Sequence, residues 1–139
     1  MQHQKLKDIL MNQSEFYNAK LQYETDSWDL SQSLNNGENV VVIDVRSPQA
    51  YEIEHIPTAI NIPHRTMTAE TIGHLDKDKI YVTYCDGIGC NASTKGALNM
   101  TELGFNVKEL LGGIDWWCRD GYETRGKQAR VGSKVLCGC

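Results

Sequence analysis

Cys85 follows the apolar stretch Lys79-Ile80-Tyr81-Val82-Thr83-Tyr84 and opens the glycine-bearing loop Asp86-Gly87-Ile88-Gly89-Cys90-Asn91; helix-forming sequence begins near Ala92. A thiol between a strand, a tight loop and a helix is a nucleophile candidate. Backbone N–H groups of the loop and of the first helical turn can point at the sulfur, and the helix dipole favours thiolate over thiol. The amides of Asp86, Gly87, Ile88, Gly89, Cys90 and Asn91 would equally cradle the negative end of a persulfide or an oxyanion, and two glycines let the backbone come close. Gly-x-Gly by itself also marks many plain connections, so its weight comes from its place after Cys85. Cys90 has two readings: a resolving thiol that attacks a persulfide or sulfenate on Cys85 and closes an intraloop disulfide, or a packing residue facing away.

Asp44 and Arg46 end another apolar run, Val40-Val41-Val42-Ile43. They are expected to act structurally near the site, as a charge pair holding a strand end, since buried carboxylates there usually hold loops. His55 is likewise expected to be structural, because an attacking thiolate needs no general base. His64 and His74 lack metal-ligand spacing with any cysteine, and Cys118 beside Trp116 and Trp117 reads as packing. Cys137-Gly138-Cys139 could relay sulfur from Cys85, reduce a Cys85–Cys90 bond, or bind a soft metal together with a partner's ligands; an inert end is the plain alternative.

The elements that must hold these residues alternate. Leu6, Ile9, Leu10 and Phe16 predict a helix over 6–17, with an extended piece at 19–24. Thr25, Asp26 or Ser27 caps a helix carrying Trp28, Leu30 and Leu34, which Asn35-Asn36-Gly37 ends. The run at 40–43 is too apolar for a half-exposed strand and suits a central parallel one. Ser47-Pro48 starts a helix that Ile56-Pro57 ends. A brief strand follows at 59–62, then a helix from Thr68 through Leu75, a strand at 80–84, a helix at 92–103 closed by Gly104, a strand at 105–110, and a helix at 114–119 after Gly112-Gly113. Short strands alternating with helices predict a parallel sheet flanked by helices on both faces, an α/β fold in which sites form at the carboxyl ends of strands. The expected division is a helical extension at 1–22, one domain at 23–125 and a Cys-containing tail at 126–139.

With 139 residues, 40% hydrophobic and 23% charged, the chain fits one compact domain. A formal charge of −4 without a basic cluster argues against nucleic acid as a main partner. No apolar run approaches the ~20 residues that span a bilayer, and the start does not resemble a signal peptide, so no membrane association and a cytoplasmic location are expected. Five cysteines without a secretory signal read as reactive thiols rather than a disulfide framework.

Three ordered segments, VVIDVRSPQAYEIEHIPTAINIPH, YVTYCDGIGCNASTKGA and GFNVKELLGGIDWW, resemble the single-domain rhodanese (sulfurtransferase) family from about Tyr23 to Tyr122. The resemblance implies a rhodanese-like fold with a central parallel sheet and a cysteine, at Cys85, that accepts a sulfane sulfur as a persulfide. It passes that sulfur to a thiol or cyanide, in two displacements that need no metal or other cofactor. Implied partners are a small sulfur donor or a persulfidated protein, and a low-molecular-weight or protein thiol as acceptor. The chain departs from the family at Cys90 and Asn91, where arginine and then serine or threonine are usual, and at Glu54 and Thr58, where glycine is usual. Thiosulfate, a dianion, benefits from a guanidinium; this loop offers Asp86 instead. The rival reading is a non-catalytic rhodanese-like module that binds a partner or senses redox state through its thiols. A cysteine phosphatase or arsenate reductase shares the loop logic but needs an arginine clamp on a tetrahedral oxyanion.

Overall fold

A computed structural model of the chain describes residues 12–138. Its centre is two adjacent parallel strands, β2 (Val40–Asp44) and β4 (Ile80–Tyr84), in register from Val40 opposite Ile80 to Asp44 opposite Tyr84. Outside them lie β5 (Asn106–Leu110) next to β4, and the two-residue strands β1 (Glu24–Thr25) and β3 (Ile60–Asn61) at the edges, giving the all-parallel order β1-β5-β4-β2-β3. The central strands are buried on both faces, which is why their sequences read as continuous runs rather than alternating ones. Val42, Val82 and Tyr84 face a core made with Leu30, Ile114 and Trp117; Ile43, Tyr81 and Cys85 face the opposite one with Ile72, Met100 and Val107. Helices α2 (Ser27–Asn35) and α6 (Gly113–Arg119) cover the first face, and α4 (Ala69–Ile72) and α5 (Ala92–Glu102) the second. The α/β fold expected from the sequence is the fold observed.

Local signals account for most helix starts. Asp26 accepts from the Asp29 N–H to begin α2, Ser47 accepts from the Ala50 N–H before α3 (Pro48–Ile53), and Thr68 and Thr71 form a reciprocal capping box at α4. The first helix departs from expectation. Residues 6–11 lie outside the described residues, and α1 runs Gln13–Tyr23, so 19–23 is helical rather than extended. Asn12 caps it, Lys20 pairs with Glu24 at 2.6 Å, and it buries no residue, so its apolar spacing carried no signal about its phase. Helix α4 stops at Ile72 with Gly73 as its C-cap instead of reaching Leu75, and the strand expected at 59–62 pairs only at Ile60 and Asn61. Beyond Gly126 the chain folds back: the N–H groups of Lys127 and Gln128 donate to the carbonyls of Glu52 and Ile53, and Arg130 pairs with Glu54 at 2.9 Å.

Thr58 adopts φ +72°, the left-handed region, where β-branched residues are strained. It occupies the position at which the family resemblance puts glycine, and its exposed side chain makes no hydrogen bond among the described residues. Thr58→Gly is therefore expected to raise the urea midpoint, by about 1 kcal/mol of stability once glycine's unfolded-state entropy is subtracted. An unchanged or lower midpoint would mean that the turn holds threonine without strain.

Candidate functional site

The register of β2 with β4 sets Asp44 beside Tyr84, so the two strand ends that carry chemistry-bearing residues lie side by side, and the Val45 N–H donates to the Tyr84 carbonyl at 3.1 Å. Asp44 is fully buried. Its carboxylate accepts from the Tyr84 hydroxyl at 2.7 Å, from the Arg46 backbone N–H at 2.9 Å and, at two positions, from the Arg46 guanidinium. The same guanidinium donates to the Glu54 carbonyl at 2.6 Å and, across 40 residues of sequence, to the Asp86 carboxylate at 3.2 Å. Arg46 is thus a staple between the end of β2, the end of α3 and the first residue after Cys85. Burial, and then the Asp44 charge, hold the Tyr84 phenol well above the ordinary tyrosine range, so it stays a hydrogen-bond donor to Asp44.

Cys85 is 3% exposed and is disulfide-bonded to Cys90, with the two Cα atoms 6.4 Å apart. That separation lies inside the range a disulfide spans without backbone movement. The loop between them turns back on itself through the Cys90 N–H, which donates to the Gly87 carbonyl. Among the described residues, the N–H groups of Asp86, Gly87, Ile88, Gly89 and Asn91 have no intramolecular acceptor. The helix that follows adds more: Asn91 makes no side-chain cap, so the first amides of α5 are open too. Ser93 and Thr94, in its first turn, turn their hydroxyls instead to the Glu109 carboxylate on β5. A loop of unpaired donors directly after Cys85 suits a negative charge on that sulfur or on an atom bonded to it.

What holds this loop from beneath is a pair of residues read from the sequence only as the lead into the last helix. Gly112 and Gly113 have φ of +77° and +57°, and they bring the start of α6 against the loop backbone. The Ile114 N–H donates to the Cys85 carbonyl at 3.0 Å and the Asp115 N–H to the Asp86 carbonyl at 2.8 Å. A Cβ on Gly113 would lie 2.9 Å from the Gly87 nitrogen and would also meet the Cys85 carbonyl oxygen. The signal was present as a Gly-Gly pair, but its partner lies about 25 residues earlier in the chain.

The other residues singled out from the sequence lie in different settings. His55 stacks on Tyr51 with ring centroids 3.8 Å apart, its Nδ1 is 2.7 Å from the Tyr51 carbonyl, and its backbone forms an isolated antiparallel bridge with Arg125. Cys118 is half-buried beside Glu54; burial first and that carboxylate second push its thiol up, which makes it a poor nucleophile at neutral pH. Cys137 is exposed and Cys139 lies outside the described residues. The described residues include no cluster of metal-ligating side chains and no helix long and apolar enough to cross a membrane. A groove of about 1010 Å³ is lined by residues of α1, α2 and the sheet, among them Tyr17, Leu21 and Val40, and does not include Cys85.

A family model described as Rhodanese-like domain matches residues 27–120. A sulfurtransferase of Allochromatium vinosum is 33% identical over 98 residues, covering 70% of this chain and 90% of that protein. The HTH-type transcriptional regulator Rv0324 of Mycobacterium tuberculosis is 35% identical over 78 residues, but the match spans only 34% of the regulator's length. Among solved structures, the BH2092 protein of Bacillus halodurans superposes with a TM-score of 0.80 at 44% identity, covering 84% of this chain and 85% of that one.

Proposed function

The chain belongs to the rhodanese-like domain family, and from that premise we propose that it is a sulfurtransferase whose carrier is Cys85. The reduced Cys85 thiolate attacks the sulfane sulfur of a donor, the donor's remainder leaves, and the sulfur stays on Cys85 as a persulfide until an acceptor thiolate removes it. The unpaired N–H groups of Asp86–Gly89 and Asn91, in the loop that Cys85 opens, carry this reading: such donors can hold the terminal charge of a persulfide with no side-chain cation. Arg46, whose guanidinium touches the loop at Asp86, is already bonded to Asp44 and Asp86. Donors whose leaving group is a thiolate, such as a low-molecular-weight or protein persulfide, therefore fit better than dianionic thiosulfate.

Because the Cys85–Cys90 bond occupies the carrier sulfur, loading begins from the reduced chain. The test uses Cys90→Ser protein, reduced, desalted and exposed in turn to glutathione persulfide, inorganic polysulfide and thiosulfate. Intact mass is expected to rise by one sulfur atom, and adding Cys85→Ser is expected to abolish the gain. If no donor gives a gain that depends on Cys85, the sulfurtransferase reading is wrong. The same disulfide favours a second reading, a redox-responsive binding module; it requires that bond to form and open under mild oxidant and reductant with no sulfur transfer at all.

A further inference from the structure

Rhodanese chemistry as proposed above hands sulfur to an outside acceptor, yet here the position that resemblance assigns to a loop arginine holds a second thiol that is bonded to the carrier. Resting on that reading of Cys85, we propose that this chain is a persulfide reductase: Cys90 resolves the Cys85 persulfide internally and releases the sulfur as hydrosulfide.

The Cys90 thiolate attacks Cys85 Sγ. The Cys85–Cys90 bond forms, the bond from Cys85 Sγ to the outer sulfur breaks, and the outer sulfur departs with the bonding pair as HS⁻, carrying the persulfide proton or one taken from solvent. The sulfane sulfur is reduced by two electrons while the two cysteines are oxidised to the disulfide. A dithiol reductant then returns both cysteines to thiols and is itself oxidised to a disulfide, closing the cycle.

Three observations support an internal route. The product of the step is the state the structure holds, and a Cα separation of 6.4 Å lets both loop ends reach it without displacing β4 or α5. The turn that brings Cys90 back is fixed by its own N–H on the Gly87 carbonyl, so the resolving thiol stays near its target at a high effective concentration. Finally, Cys90 reaches the Cys85 sulfur at a site that is almost wholly covered, so the internal thiol meets its target without any outside molecule having to enter.

The decisive experiment is a single turnover with one equivalent of glutathione persulfide on reduced, desalted wild type, Cys90→Ser and Cys85→Ser, followed by intact mass and hydrosulfide release. Wild type is expected to release one equivalent of hydrosulfide above the Cys85→Ser background and to end as the Cys85–Cys90 disulfide with no added sulfur. Cys90→Ser, desalted after loading to remove the one equivalent of glutathione that the transfer frees, is expected to keep the added sulfur and to release hydrosulfide at least about tenfold more slowly until a thiol is added back. The proposal is overturned if wild type keeps the extra sulfur with both thiols reduced, or if Cys90→Ser releases hydrosulfide at the wild-type rate. Loss of loading in Cys90→Ser and wild type alike overturns the sulfurtransferase reading itself, and the two failures are told apart by whether Cys90→Ser gains mass.

Discussion

Replacing Arg46 with alanine is expected to lower stability by about 3–5 kcal/mol, the cost of leaving a buried charge without its partner. Asp44 has no exposed surface. Without the guanidinium it keeps only the Tyr84 hydroxyl and one backbone N–H, two neutral donors for a full negative charge. The Glu54 carbonyl and the Asp86 carboxylate lose the same partner. Asp86 is mostly exposed, so its share is small, within about 1 kcal/mol. Arg46→Lys is expected to recover only part of the loss, because an ammonium cannot make the forked contact to Asp44 while reaching Glu54 and Asp86. Urea unfolding of the three proteins provides the measurement; a loss below about 1 kcal/mol for the alanine variant would show that Asp44 is neutralised or solvated by other means.

Gly113→Ala is the second large effect, and it falls on the loop rather than the core. Its Cβ would press on backbone atoms of Cys85, Asp86 and Gly87, which cannot rotate aside as a side chain can. Relief comes only by moving the loop off α6 and breaking the bonds from Ile114 and Asp115. We expect at least about 2 kcal/mol of lost stability and, for sulfur loading of Cys85, a loss on the order of 100-fold, since displacement of a reacting group by about 1 Å has that scale. Gly37→Ala is the matched control. It sits at φ +66° with nothing within 4 Å of its would-be Cβ, so it carries the backbone strain alone and should leave loading intact. Equal effects of the two substitutions on loading would show that the contact beneath the loop is not what positions Cys85.

The contrast between these glycines illustrates which parts of the molecule are legible along the chain. Central strands announce themselves because burial on both faces demands unbroken apolar runs, and helix starts because caps act within three or four residues. Cys85 could be singled out from its strand–loop–helix junction, which is local too. Edge strand β1 is misplaced by the sequence, which puts the extended piece at 19–24: only Glu24 and Thr25 gain strand geometry, and they gain it from β5, some 85 positions later. Sequence spacing pairs Arg46 with Asp44, two residues away, but not with Asp86, and presents Gly113 as the lead into the last helix rather than as a floor. In each case the missing information lies in the neighbour that the fold brings in from elsewhere. The sequence keeps Cys90 between two roles because the Cα separation that admits a disulfide is a property of the folded loop.

The strand order has a consequence for how the chain comes into being. The first strand docks on the last, so during synthesis residues 13–35 emerge early and have no sheet edge to join until β5, ending at Leu110, has left the ribosome. Until then β4 also presents an unpaired edge, the kind of surface on which nascent chains pair wrongly with one another. Folding is expected to be late and all at once, and premature termination anywhere before Leu110 should yield insoluble fragments rather than a smaller working domain.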